Sequence, residues 1–134
     1  MREALALYGS RHFAHYDFLL ALSENFGSIG LEHHQSSENG TDVGYFTEWD
    51  AKPADRDLLP HEMTHSWNGK FRRPADLWTP DYNTPMQNSL LWVYEGMTEF
   101  WGAVLTARSG LWSEPLTRDA LAWDAATYRE LRKG

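Results

Sequence analysis

The sequence predicts an α+β fold, and three observations carry that expectation. Short aromatic-rich extended segments occupy residues 15 to 48, helical patterns dominate from residue 54 onward, and 134 residues with 42% apolar content suit one hydrophobic core. Arg2 to Tyr8 has the apolar spacing of a short helix, punctuated by Gly9-Ser10. His15 to Leu22, with Tyr16, Phe18, Leu19 and Leu20, reads as a buried strand. Gly30 to His34 begins a second extended segment, continued after a polar loop at Ser36 to Asp42 by Val43 to Thr47, and these two segments are expected to pair.

Leu58 to Trp67 reads as a helix with Pro60 in its first turn, where the missing N–H costs little, and Asn68-Gly69 ends it. Lys70 to Pro85 holds three prolines and is expected to be a long ordered loop. Gln87 to Ser109 follows as a long apolar helix closed by Gly110. A last helix begins near Ser113 to Thr117 and runs to about Lys133, with Leu116, Ala120, Trp123 and Leu131 on one face. The sheet of residues 15 to 48 is expected to be antiparallel or mixed and to pack on the Leu58 to Trp67 helix and the Gln87 to Ser109 helix. Trp67, Trp78, Trp92 and Trp101 are expected in the core, and Arg72 and Arg73 in pairs with local carboxylates.

A formal charge of −7 and the absence of a basic run exclude a nucleic-acid partner, since backbone phosphates would be repelled. No stretch approaches the ~20 apolar residues that span a bilayer, so no membrane partner is expected. The N-terminus lacks a basic segment followed by an apolar one. With no cysteine, any metal site must be built from His, Asp or Glu.

His61-Glu62-Met63-Thr64-His65 supplies such donors. Residues four apart on a helix lie about 40° apart around its axis and one turn along it, so both imidazoles can reach one ion. Glu62, next to the first ligand, can take a proton from the attacking water and pass it to the leaving amine, which makes it the candidate general base. A catalytic zinc takes three protein ligands and keeps one position open, so a third donor is required. Glu95 is the best candidate: it sits in Leu91 to Phe100, otherwise almost wholly apolar, where an ionised carboxylate is costly unless paired. Gly96 beside it would let the two helices approach closely. Glu99, one turn on, is placed to accept the free ring N–H of His61.

Three blocks, Gly30-Leu31-Glu32-His33-His34-Gln35-Ser36-Ser37, His61 to Pro74 and Leu91 to Gly102, resemble the glycyl aminopeptidase family of gluzincin metallopeptidases. The likeness runs from about Tyr16 to Trp112. It implies a thermolysin-like zinc peptidase catalytic domain, of which residues 1–134 would be part, and a zinc-dependent aminopeptidase that removes small N-terminal residues such as Gly or Ala from peptides. It also implies further domains in a longer parent chain and a bacterial periplasmic or secreted setting. By position ahead of HExxH, Gly30 and Glu32 resemble the block with which related aminopeptidases grip the substrate's free α-amine, so Glu32 is expected to meet it through a charge-assisted hydrogen bond. His33 and His34 are read as cleft-edge or surface residues, and His12 and His15 as structural. An oxyanion donor is also required, with Tyr82 as first candidate and Tyr94 as second. The alternatives are a zinc endopeptidase, which needs an open cleft and no amine anchor, and a non-catalytic zinc- or peptide-binding domain.

Overall fold

The computed structural model describes residues 1–131. A short helix α1 (Arg2–Tyr8) leads to strands β1 (Asp17–Leu22), β2 (Ile29–Glu32) and β3 (Ser36–Thr41). Helix α2 (Leu58–Thr64) follows a 3-10 turn at Pro53–Asp57. A π-helical turn at Trp92–Gly96 runs into α3 (Met97–Arg108), and α4 (Glu114–Leu131) closes the described chain. The fold is therefore α+β, as expected, with a mixed three-stranded sheet of order β1-β3-β2. β3 pairs parallel with β1 and antiparallel with β2.

The central strand is the segment whose polarity suggested a loop. Residues 36–41, Ser-Ser-Glu-Asn-Gly-Thr, form β3, whereas Val43 to Thr47, expected as a strand, is turn. Side-chain hydrogen bonds make a polar central strand possible. Asn39 is 2% exposed, and its Nδ2 donates to the Leu19 carbonyl at 3.0 Å, the Ser37 carbonyl at 3.2 Å and the Ser37 hydroxyl at 3.0 Å. The Asn39 amide N–H groups are satisfied in this way, while its buried Oδ1 has no hydrogen-bond partner among the described residues. β2 and β3 are joined through His33, His34 and Gln35 rather than through the 36–42 segment. Tyr45 and Trp49 pack together in the turns that follow, and the buried Arg56 guanidinium lies 4.5 Å from the centre of the Trp49 ring.

α2 lies between the sheet and α3, touching β2 and β3 on one side and α3 on the other. Its last residue, Thr64, is fully buried; its hydroxyl donates to the Pro60 carbonyl at 2.8 Å and receives the Tyr8 hydroxyl at 3.0 Å. The expected helix to Trp67 is thus three residues shorter, and Ser66 and Trp67 continue as tight turns. The core gathers Ala4, Phe13, Tyr16, Met63, Trp67 and Leu105, so α1, the segment before β1, α2 and α3 all contribute. Trp67 is its aromatic hub, 4.6 Å from Tyr8 and 5.4 Å from Phe13 between ring centres, with its indole N–H donating to Ser10.

The other tryptophans expected in the core behave differently. Trp78 and Trp92 are largely exposed and Trp101 is half-buried, while Trp112 is buried and donates to the Pro53 carbonyl. Arg72 lies over the Phe71 ring and Arg73 donates to the Gly69 carbonyl, so neither meets the carboxylate expected for it. Residues 87–90 are not helical, because the Asp76 carboxylate accepts the Ser89 backbone N–H and hydroxyl and Asn88 adopts φ 59°. On α4, Leu116 and Ala120 are half-buried and Trp123 is exposed; the Leu131 side chain and Lys133 lie outside what is described. Among the described residues no helix is long and apolar enough to cross a membrane.

Truncating the core at the α2–α3 contact should cost what a buried cavity costs. Leu105, 4% exposed on α3, packs in the central cluster. Leu105→Ala is expected to lower the unfolding free energy by about 2–5 kcal/mol, read from urea denaturation curves; a loss below about 0.5 kcal/mol would place Leu105 outside the core.

Candidate metal centre and its surroundings

The close contact between α2 and α3 occurs at Gly102, where an added Cβ would lie 3.0 Å from the His61 Cα. Gly96, expected to serve this purpose, has open space where its Cβ would be. Packed this closely, the helices bring together donors separated in sequence. His61 lies on α2, His65 caps its end, and Glu95 lies on the π-helical turn that precedes α3.

Glu95 Oε2 is 3.6 Å from His61 Nε2 and 3.4 Å from His65 Nε2. Two ligands about 2.1 Å from a tetrahedral zinc lie roughly 3.4 Å apart, so these spacings suit one ion held by all three. The other ring nitrogens are committed. His61 Nδ1 is 3.1 Å from Glu99 Oε2, and His65 Nδ1 is 3.1 Å from the Asn68 carbonyl and 3.2 Å from the Thr98 hydroxyl. A carbonyl or carboxylate oxygen can only accept, so each Nδ1 carries the proton and each Nε2 directs its lone pair toward Glu95. This is the tautomer that metal ligation needs. The donor set therefore fits a zinc ion, and His61, His65 and Glu95 are one of two His/Glu groups among the described residues whose ligand atoms are close enough to hold a metal.

The second group is Glu32, Glu62 and His65. Glu62 is 6% exposed on α2, and Gly30 of β2 lies directly against it: a Cβ at Gly30 would fall 1.9 Å from Glu62 Oε1. Burial pushes the Glu62 carboxyl up to about 7; Glu32 and Glu95 add to the rise, and the His61 and Lys70 charges partly offset it. Burial also acts against the charge of Glu32, but hydrogen bonds from Tyr94 and from its own backbone N–H, together with Lys70, outweigh it and hold Glu32 below the usual carboxylate range. Lys70 Nζ is 3.3 Å from Glu32 Oε1. Burial works to lower both histidines. For His61 the hydrogen bond to Glu99 and the charges of Glu62, Glu99 and Glu95 reverse the direction, whereas His65 stays lowered. The His61 hydrogen bond in turn keeps Glu99 below the ordinary range.

His61, Glu62, Glu99 and Gly30 also line a cleft of about 470 Å³ that continues past Thr41, Asp57 and Leu58. The structure thus gathers His61, Glu62, His65, Glu95, Glu99, Gly30 and Glu32 into one region. Tyr82 lies elsewhere. Its side chain is fully exposed on the Pro-rich loop, where it borders a separate cavity with Arg73, Leu77 and Met86. Tyr94, the second candidate, is the tyrosine beside the cluster, with its ring 4.6 Å from the His65 ring and its hydroxyl donating to Glu32. His33 meets Glu38, and His34 stacks edge-on against His12 in an aromatic nest with Phe71, away from the ligand groups.

Sequence reasoning missed Asn68, Lys70, Thr98 and Gly102. Asn68 carried a signal only as a helix terminator. Its side chain donates to the Val93 carbonyl at 2.9 Å, the Tyr94 carbonyl at 3.2 Å and Thr98 Oγ1 at 3.0 Å, tying the end of α2 to the π-helical turn.

Two histidines from one helix and a glutamate from the next, with a buried glutamate beside the first histidine, form a donor cluster that could hold a metal ion, as a metallopeptidase requires. A family model for M61 glycyl aminopeptidase matches residues 54–133, which is more than half of the chain, and the protein belongs to that gluzincin metallopeptidase family. Comparison with individual curated proteins yields no match.

Two outcomes test the site. Glu99→Ala, which frees His61 Nδ1, should weaken zinc binding about 10–100-fold in a competitive chelator titration while the circular dichroism spectrum is unchanged; equal affinity would mean that the 3.1 Å contact does not orient the ligand. The second concerns Asp57, which burial, reinforced by Glu99, raises to about 6. A carboxyl raised above its unfolded value of about 4 holds its proton more tightly when folded. Its contribution to stability is therefore complete below about pH 4 and is lost as pH rises through about 6. Asp57→Asn should remove that component, and because Asp57 makes no side-chain cap to α2, no cap is lost. Parallel pH–stability profiles for the two proteins would refute the assignment.

Proposed function

We propose that the protein is a zinc-dependent aminopeptidase that releases small N-terminal residues, Gly or Ala, from peptides, with a thermolysin-like arrangement of strand, HExxH helix and glutamate helix. The observation that carries this is the convergence of His61 Nε2 and His65 Nε2 on one Glu95 oxygen beside the buried Glu62, within a member of the M61 family.

His61, His65 and Glu95 would hold the zinc, which supplies Lewis acidity that polarises the scissile carbonyl and makes a water nucleophilic near neutral pH. Glu62 accepts the proton of the attacking water at a carboxylate oxygen and delivers it to the departing amine nitrogen. A carboxyl raised to about 7 suits both halves of that transfer, since neither protonation state is far from accessible at neutral pH. Gly30 keeps the space in front of Glu62 open. Glu99 holds the His61 ring through Nδ1, and the Asn68 carbonyl does the same for His65. Glu32, whose carboxylate lies within 4.8 Å of the α2 carboxylate and is held below its usual range, remains ionised and receives the peptide's α-ammonium. An amine bound there limits the chain on that side of the metal to one residue. Tyr82 is exposed and remote from the cluster, and the Tyr94 hydroxyl is committed to Glu32, so neither tyrosine serves as the oxyanion donor in this reading.

Glu62→Gln should retain stoichiometric zinc and lose turnover of Gly-anilide, because an amide cannot accept the proton; retention of more than a small fraction of activity would remove Glu62 as the base. Glu32→Gln should depress kcat/KM for Gly-anilide by about 1.5–3 kcal/mol, the worth of a hydrogen bond to a charged group, and leave acetyl-Gly-anilide unaffected. Equal losses on both substrates would assign Glu32 a structural role.

A further inference from the structure

Tyr94 touches two members of the candidate site at once. Its ring lies 4.6 Å from the His65 ring, tilted by 33°, and its hydroxyl donates to Glu32 on β2. One aromatic side chain, with only two rotatable angles, therefore contacts both a histidine of the candidate metal cluster and the β2 carboxylate, whose ligand atoms lie within 4.8 Å of one another.

The placement of this residue is itself over-determined. Its backbone carbonyl receives the Thr98 hydroxyl at 2.6 Å and the Asn68 amide at 3.2 Å. Gly69, at φ 136°, leaves room for the ring: a Cβ there would fall 2.4 Å from Tyr94 Cε2. Tyr94 is 8% exposed, while its neighbours Trp92 and Met97 are 70% and 44% exposed. Glu32 has a second restraint in Lys70, whose ammonium is 3.3 Å from the same Oε1. The two restraints differ in kind. Lysine sits on a flexible stem and can withdraw, and its charge competes with an incoming ammonium. A phenol orients the carboxylate without cancelling its charge.

We propose that Tyr94 is a positioning residue that holds Glu32 at a set distance from His65 and thereby fixes how deep a peptide's α-ammonium can enter, setting cleavage at one residue from the N-terminus. This rests on the aminopeptidase reading. Tyr94 acts through Glu32, so its loss should be felt by ligands that carry a free amine and by no others.

The test is calorimetric binding of glycine hydroxamate and N-acetylglycine hydroxamate to the zinc-loaded protein, which share the chelating group and differ in the amine. The wild-type protein should prefer the free amine. Tyr94→Phe, which removes the hydroxyl and keeps the ring on His65, should weaken glycine hydroxamate about tenfold or more, as for loss of a hydrogen bond to a charged group. The affinity for the acetylated ligand, the zinc stoichiometry and the melting temperature should stay as in wild type. In a Glu32→Gln background the same substitution should add nothing further, an outcome that a merely structural tyrosine would not give. Preference retained in Tyr94→Phe, or equal weakening of both ligands, overturns the positioning role alone. Absence of any preference in the wild-type protein overturns the aminopeptidase reading and this proposal with it.

Discussion

The approach of α2 to α3 at Gly102 is the constraint on which the rest of the site depends. Glu95 follows His65 by 30 positions, and no local geometry relates them. A Cβ at 102 would lie 3.0 Å from the His61 Cα, so the helices would have to give by a few tenths of an ångström, a shift that counts where donor atoms must be held to within about 0.5 Å. The core supports the same contact from behind, since Met63 of α2 and Leu105 of α3 share one apolar cluster. Burial of apolar surface, which is non-directional, presses the helices together; the missing Cβ sets how closely.

Direction comes from polar groups. The π-helical turn at Trp92–Gly96 interrupts the regular ladder, and the carbonyls of Val93 and Tyr94 accept from the Asn68 side chain at the end of α2. Thr98 then bonds both the Tyr94 carbonyl and the His65 ring. π-bulges recur at functional sites because they re-aim side chains without ending a helix, and this one turns Glu95 toward α2 while keeping Tyr94 against His65. Asn68, Thr98 and Glu99 together decide which nitrogen of each imidazole is available, a matter of single protons settled by groups three or four residues away from His65 or Glu95.

Legibility in the sequence followed the range of the interaction. The His61–Glu62–His65 spacing is local, so the helix that carries it and the face it presents could be read directly. Glu95 and Glu99 stood out because carboxylates are expensive on an apolar helix. β3 was hidden because Ser37 and Asn39 are buried by satisfying one another and the Leu19 carbonyl, a solution that apolar patterning does not reveal. Gly96 and Gly102 are equivalent in the sequence; only the tertiary contact separates them. The same holds for Tyr82 and Tyr94, one fully exposed and the other wedged between Gly69 and His65, and for Lys70, whose role begins only when β2 is folded against the end of α2.

The charges of the cleft bear on its chemistry as a whole. Glu32, Glu62, Glu95 and Glu99 surround two imidazoles, with Lys70 as the nearby ammonium bonded to one of them. Carboxylates gathered this closely repel one another, and the Glu32 and Glu95 charges add to the rise that burial imposes on Glu62. The four differ in the partners they meet. Glu32 and Glu99 are brought down by donors of their own, Tyr94 and Lys70 for the first and His61 for the second. Glu95, half-exposed, faces the two Nε2 lone pairs, and a divalent cation shared with them would neutralise it. Glu62 alone is left buried, with the partial help of the His61 and Lys70 charges, and it alone among the four rises to about 7. The donors that bring Glu32 and Glu99 down are thus committed to those two, and Glu62, with no hydrogen-bond donor of its own among the described residues, keeps the effect of burial.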